Sequence, residues 1–228
     1  MAFTKIEIDD EVRRQFPEAR IGWLLADVEV RESDSYVEEL KAALPEVLAR
    51  HGLNEANLAS HPDIARWREA FSAMGAKPSK YRSSLEALAR RVAKGQEMWN
   101  VSSVVDCYNC ASVTALLSMG AHDTAKLDGA VTLRHGRVGE RFFPLGDGGE
   151  AVDVDPRNIL YADESKVCCW LWCHRDTRLA SVTEETTEAV FIVDAAFTPR
   201  TTSVEAGLEL LAGHLEKIGC RTKTSGVV

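Results

Sequence analysis

The chain has 228 residues, a formal net charge of −8, 45% hydrophobic residues and 27% charged residues. That length suits one large domain or two small ones with a sizeable core, the composition is ordinary for a globular chain, and without a run of about 18 apolar residues no membrane span is expected. The acidic balance argues against a broad basic surface for coating DNA or RNA, but leaves room for a local basic patch.

The first ten residues, Met1 to Asp10, turn acidic at once and lack the basic start and apolar stretch of a secretory leader, so the cytoplasm is the expected compartment. Residues 3–8 alternate apolar and polar, which predicts a strand, and residues 21–30 read as a second strand after Pro17. Ser33-Asp34-Ser35 caps a predicted helix over 36–51 that Gly52 ends. Residues 57–62 read as a loop. Ile64, Trp67, Ala70 and Phe71 then fall at helical spacing over 63–74. The segment Gly75-Ala76-Lys77-Pro78-Ser79-Lys80-Tyr81-Arg82-Ser83-Ser84 is rich in turn formers and cations, and its last serine is placed to cap a helix over 85–94. Residues 109–117 read as helical. From Ala130 onward the pattern is strand-rich, at 131–133, 141–143, 151–154, 159–162, 167–173 and 190–193, before a last helix over 202–219. Helices early and strands late predict an α+β fold, with a mixed or antiparallel sheet flanked by helices.

Six cysteines stand at 107, 110, 168, 169, 173 and 220. In the cytoplasm they are expected to be reduced core residues. Cys107 and Cys110 have metal-ligand spacing and Cys168, Cys169, Cys173 and His174 form a second cluster, so a metal-dependent hydrolase is one alternative. The adjacent pair points to opposite faces of a strand. The expectation is no metal and no cofactor.

Two blocks carry a resemblance. The first runs Val105-Asp106-Cys107-Tyr108-Asn109 and on to Met119-Gly120-Ala121-His122-Asp123. The second runs Ser181-Val182-Thr183-Glu184-Glu185-Thr186-Thr187 and on through Val190-Phe191-Ile192-Val193-Asp194-Ala195-Ala196-Phe197-Thr198-Pro199. Leu127-Asp128-Gly129, Gly139-Glu140 and residues 157–163 keep the same order between them. Together they resemble the B3/B4 domain of the phenylalanyl-tRNA synthetase beta subunit, which hydrolyses wrongly charged tRNA. The entry segment from Trp67 to Leu88 is similar to freestanding relatives. The resemblance implies a single B3/B4-type domain over 1–228. Residues 1–62 are its N-terminal strand and helix extension, 63–200 its family core and 201–228 its C-terminal helix and tail.

The family's site residues transfer one by one. Its Thr-Asn pair is Tyr108-Asn109 here. Its histidine falls on Gly120, with His122 two residues on. Its side-chain-reading glutamate is Asp194, and its small-residue wall is Cys169-Trp170-Leu171-Trp172-Cys173-His174. The resemblance thus implies Asn109 and His122 in catalysis and Tyr108, Asp194, Gly120 and Trp170 around the substrate. Lys80 and Arg82 are expected either to meet tRNA phosphates or to be an ordinary solvated turn. Bland alternatives stand beside each: a helix cap for Asn109, core packing for Tyr108, a turn-shaping pair of His122 with Asp123, and an internal salt bridge for Asp194. Trp170 and Trp172 alternate along a strand, so one of them is expected in the core.

The expected activity is a freestanding, trans-editing aminoacyl-tRNA deacylase, with mischarged tRNA as a transient partner and no membrane. A short acid at 194 suits a cationic side chain, and the freestanding relatives that the chain resembles include deacylases of tRNA charged with arginine analogues, so the resemblance leans the substrate toward canavanyl-tRNA. The alternatives are tyrosyl-tRNA for phenylalanine and a non-catalytic module that binds tRNA or an amino acid. Oligomeric state is left open.

Overall fold

The computed structural model describes residues 3–146 and 149–228. Met1 and Ala2, at the head of the acidic leader segment, lie outside the described residues, as do Asp147 and Gly148. The α+β class holds. The strands divide mainly into two packed sheets flanked by helices.

The first sheet has five strands. Strand β1 (Lys5–Ile8) runs parallel to β4 (Ala130–His135), and β7 (Ile159–Ala162), β8 (Val167–Trp170) and β9 (Arg175–Asp176) continue antiparallel from it. The second sheet is antiparallel, in the order β11 (Arg221–Val227), β2 (Arg20–Asp27), β10 (Glu188–Ala195), β3 (Ser118–Asp123). A two-stranded ribbon, β5 (Arg141–Phe142) with β6 (Val152–Asp153), packs on the first sheet, where Phe142 meets Leu160, Ala162 and Val167. Strand β10 is buried on both faces, which accounts for its nearly unbroken apolar sequence.

Period-two alternation divides β10 between two cores. Val190 and Ile192 pack between the sheets with Ile6, Val131 and Tyr161. Phe191 and Val193 pack on the other side against helices α5 (Ser103–Ala115) and α6 (Val204–Lys217). Gly22 allows this close approach, since a Cβ there would lie 2.7 Å from Leu208 Cδ1 on α6. A third core joins α2 (Ser35–Arg50), α4 (Ser84–Ala93) and α5 through Leu44, Leu48, Leu85, Leu88 and Val113. Helices α1 (Asp10–Gln15) and α3 (Pro62–Ala73) add Val12, Trp67 and Phe71 to the core between the sheets.

Several predicted boundaries move for physical reasons. Asp34 caps α2 by accepting from the Tyr36 amide. Ser83, not Ser84, caps α4 by accepting from Glu86 N at 3.1 Å. Helix α5 begins at Ser103 with Ser102 as its cap, so Asn109 sits inside the helix rather than at its start. The predicted strand over 167–173 stops at Trp170, where the chain turns back through Leu171 and Trp172 at φ 52° and 60°. The loop predicted at 57–62 contains a short 3₁₀ turn at Leu58–Ser60. The reading by periodicity misses α1, β3 and β11, as well as the two-residue β9. The first is very short, the second is made of small and polar residues, and the third is an exposed edge. No helix of the described residues is long and apolar enough to cross a membrane.

One buried ion pair ties α2 to α5. Lys41 Nζ lies 2.7 Å from Asp106 Oδ2, with both side chains largely shielded from water. The same carboxylate accepts from Val101 N at 3.1 and 3.2 Å, which fixes the approach to α5. Removing one partner of such a pair strands the other charge. Lys41→Met is therefore expected to lower the unfolding free energy by about 3 kcal/mol, measured by urea denaturation with unchanged m-value.

Candidate functional site

The pairing register of β3 with β10 builds one wall of a cavity. Ser118, Gly120 and His122 stand opposite Asp194, Ile192 and Val190, all facing the gap between the two sheets. Gly120 contributes no side chain, and a cavity of about 40 Å³ opens beside it. Tyr161 of β7, Cys169 of β8 and Trp172 of the following turn close the other side. Asp194 lies at the inner end, and its Oδ1 accepts from Tyr161 Oη at 2.5 Å and from Trp172 Nε1 at 3.0 Å. Burial raises its pKa to about 7, against the lowering effect of the two hydrogen bonds. His122 is buried, its Nδ1 has no hydrogen-bond partner, and burial holds its pKa below the usual imidazole value.

A larger compartment of about 610 Å³ lies outside the edge strand β3, between α4, α5 and β9. Lys80, Arg82, Arg90 and Arg175 line it. So do Trp99, Val101 and Leu145, which are 48%, 56% and 47% exposed and are thus apolar groups left uncovered by the fold. The Arg91 guanidinium lies over the Trp99 ring, 4.4 Å from its centroid. Below Arg82 and Arg90, the buried Glu86 carboxylate takes Arg68 at 2.8 Å, Arg90 at 3.2 Å and Arg82 at 3.6 Å. Three cations on one anion leave the mouth positively charged although the chain as a whole is acidic.

Four residues line both compartments: Ser84, His174, Arg175 and Asp176. Their backbone is set by the turn after β8. Leu171 and Trp172 take left-handed backbone angles while fully buried, a conformation L-residues adopt only when the surroundings impose it. Here the Trp172 amide donates to Ile159 O at 2.7 Å and its indole to Asp194. The turn then delivers His174, whose Nδ1 meets Arg82 O at 2.7 Å.

The sequence-derived candidates fall into separate places. Asp194, Gly120 and His122 share the inner compartment, while Tyr108, Asn109, Lys80 and Arg82 line the outer one. The two residues expected to act together in catalysis, Asn109 and His122, therefore stand in different compartments. Trp170 lines neither cavity: its Nε1 donates to Asn158 Oδ1 at 3.1 Å and its ring packs on Tyr81 and Phe142. Trp172 takes the position by the cavity, because the turn at 171–172 replaces simple strand alternation. His122 forms no pair with Asp123, which points the opposite way and accepts from Thr186 Oγ1 at 2.8 Å. Asp194 has two neutral donors rather than an internal salt bridge. Tyr108 is buried against Phe191, and burial raises its pKa. Sequence reasoning missed Ser84, Asp176, Tyr161 and the non-metal placement of His174. In the sequence His174 stands out only as the last residue of the wall segment 169–174 that the resemblance implies and as a neighbour of the cysteines.

Those cysteines are buried free thiols, and burial raises the Cys110 and Cys168 pKa values to about 12. Among the described residues no group of three or more His, Cys, Asp or Glu is arranged to hold a metal ion. The metal-dependent alternative thus has no ligand set among them.

With this geometry in view, the family profile for the B3/4 domain matches residues 66–216, two thirds of the chain. The chain belongs to the B3/4 domain family. It is 31% identical over 80 residues to the phenylalanine--tRNA ligase beta subunit of Chromobacterium violaceum, which covers 35% of this chain and 10% of that protein. Its fold is similar to an N-terminal fragment of the phenylalanyl-tRNA synthetase beta subunit from Pyrococcus horikoshii, with a TM-score of 0.50 at 10% identity over 96% of this chain and 50% of the fragment. The chain thus spans one tenth of the curated relative and half of the solved one.

The Asp194 environment yields a stability test. Its carboxyl stays protonated in the folded chain up to about pH 7, but only to about its ordinary 3.8 in the unfolded chain. Between those values the native state binds more protons, so this group's contribution to stability falls as pH rises and levels off above 7. Asp194→Asn keeps an oxygen for both donors and removes the ionisation. The variant is expected to gain on the wild type progressively from about pH 4 to 7 and no further above it, by a few kcal/mol at about 1.4 kcal/mol per pH unit, in chemical denaturation at a series of pH values.

Proposed function

We propose that this chain is an aminoacyl-tRNA deacylase acting in trans, which hydrolyses the ester between a wrong amino acid and the terminal ribose of tRNA. The observation that carries this reading is the two-part cleft. A narrow, acidic inner end suits an amino-acid moiety with its cationic groups, and a wide mouth with cations and an exposed tryptophan suits a single-stranded nucleotide end. The scissile ester then falls where the two parts meet. Membership in the B3/4 family and the similarity to phenylalanyl-tRNA synthetase beta subunits support a tRNA partner.

The inner end favours a cationic amino acid, leaning toward an arginine analogue such as canavanine over tyrosine. Asp194 and Asp176 both face this space, and among the described residues neither carboxylate has a cationic partner within ion-pair distance. A guanidinium-like group at the inner end restores the charged form of Asp194 and gains a charge-assisted hydrogen bond. An activated ester needs no cofactor for hydrolysis, and oriented donors with a positioned water supply the acceleration.

A deacylation panel of tRNAs charged with arginine analogues, tyrosine and other amino acids tests the reading. Turnover is expected on the cationic member, and Asp194→Asn is expected to lose about 2 kcal/mol of selectivity for it, about thirty-fold. Binding without hydrolysis of any member returns the chain to a tRNA- or amino-acid-binding module. At the mouth, changing both Lys80 and Arg82 to alanine is expected to weaken tRNA binding. The slope of log affinity against log salt should flatten by about one for each phosphate that the variant no longer neutralises. Unchanged affinity makes the two cations an ordinary solvated turn.

A further inference from the structure

The junction of the two compartments holds a histidine whose protonation is fixed by its surroundings. His174 Nδ1 lies 2.7 Å from Arg82 O, and a carbonyl oxygen only accepts, so Nδ1 carries the proton. Tyr81 and Trp170 hold the ring edge-on at 5.3 and 5.8 Å between centroids, and Trp170 is itself tied to Asn158. Burial, with Arg175 and Arg82 nearby, keeps the imidazole below its usual pKa and hence neutral. Nε2 therefore presents a lone pair, and it has no protein hydrogen bond among the described residues.

Ser84, whose amide donates to the O of neighbouring Cys173 at 2.8 Å, lines both compartments as His174 does, and its buried Oγ has no hydrogen-bond partner. Because Ser83 serves as the helix cap, the Ser84 hydroxyl is left over as the first residue of α4. A buried hydroxyl without a partner is uncommon and marks a place for water or substrate. His122, by contrast, lies one wall deeper and does not line the outer compartment.

We propose that His174 is the general base of the hydrolysis, acting on a water held by the Ser84 hydroxyl. This rests on the deacylase reading and places the catalytic histidine at 174 rather than at His122. In the step, Nε2 takes a proton from the water as the water oxygen bonds to the ester carbonyl carbon. The carbonyl π pair moves onto its oxygen. Collapse of that intermediate breaks the bond to the ribose oxygen, which takes the proton back from Nε2. The products are the free amino acid, its carboxyl proton lost to solvent, and uncharged tRNA.

The test is single-turnover hydrolysis, at saturating enzyme, of whichever charged tRNA the wild-type protein cleaves. In His174→Asn the amide NH₂ still donates to the Arg82 carbonyl, but no base remains. Its rate is expected to fall by about 10²-fold or more, with tRNA affinity and melting temperature unchanged. His174→Ala is expected to recover part of its rate with added imidazole. A His174→Asn variant as fast as wild type overturns the proposal, as does a folded His174→Ala variant that imidazole does not rescue. Wild-type protein that cleaves no charged tRNA overturns the deacylase reading and this assignment together. A cleaving wild type beside an equally fast variant overturns the assignment alone.

Discussion

The Asp194 carboxyl joins the two sheets, and the position of the site follows from it. Asp194 belongs to the four-stranded sheet, while its donors Tyr161 and Trp172 belong to the five-stranded sheet and the turn beyond it. A buried carboxyl left without donors would cost several kcal/mol, so the donors must be held in place. Tyr161 meets the requirement from a regular strand. Trp172 meets it only because the chain turns through two left-handed residues, which aims the indole inward. The same turn sends His174 toward Arg82 O, and so fixes the segment that enters α4 against the mouth of the cleft. One polar contact between sheets thus sets the inner wall, the turn and the junction in sequence.

The acids that mark the family in the sequence do different work. Asp106 holds Lys41 and the backbone at Val101. Asp123 accepts from Ala125 N and Thr186 Oγ1. Glu140 pairs with Arg134 and accepts from Arg137 N. Asp163 accepts from the amides of Asp128, Ser165 and Lys166. Each satisfies backbone amides or a buried cation at the end of an element, where unpaired groups are most costly. An ordered series of such residues specifies the turns of a fold. It says little about what the cleft accepts.

That division explains what could be read in advance. The class and most helices followed from periodicity and caps, and the inner location of Asp194 followed from its apolar neighbours. Strand β3 was illegible because Ser118, Gly120 and Ala121 have little strand preference of their own; pairing with β10 imposes the conformation. The exchange of Trp170 for Trp172 depends on two positive φ angles at residues that rarely adopt them, which no pattern of alternation reports. The role of Ser84 turns on which of two adjacent serines caps α4, a choice made by tertiary packing rather than by local sequence. His174 stood in a cysteine cluster that invited a metal reading, whereas its tautomer depends on a carbonyl 92 residues away in sequence.

The inner compartment also couples stability to selectivity. Ionising Asp194 in the empty cleft works against burial, with only neutral donors and the like charge of Asp176 nearby. A cation entering that space removes the penalty as it binds, whereas a neutral side chain leaves the acid protonated and gains no charged contact. Any group that binds only the folded, ionised state stabilises it by mass action. On the proposed reading, discrimination would come from an unfavourable feature of the free protein that the right ligand relieves, rather than from shape alone. The positive mouth adds a separate, sequence-independent attraction for the phosphates of a nucleic-acid end. On the reading proposed above, separating the two functions would let a chain of net charge −8 draw an anionic carrier to its surface and still test a cationic cargo inside.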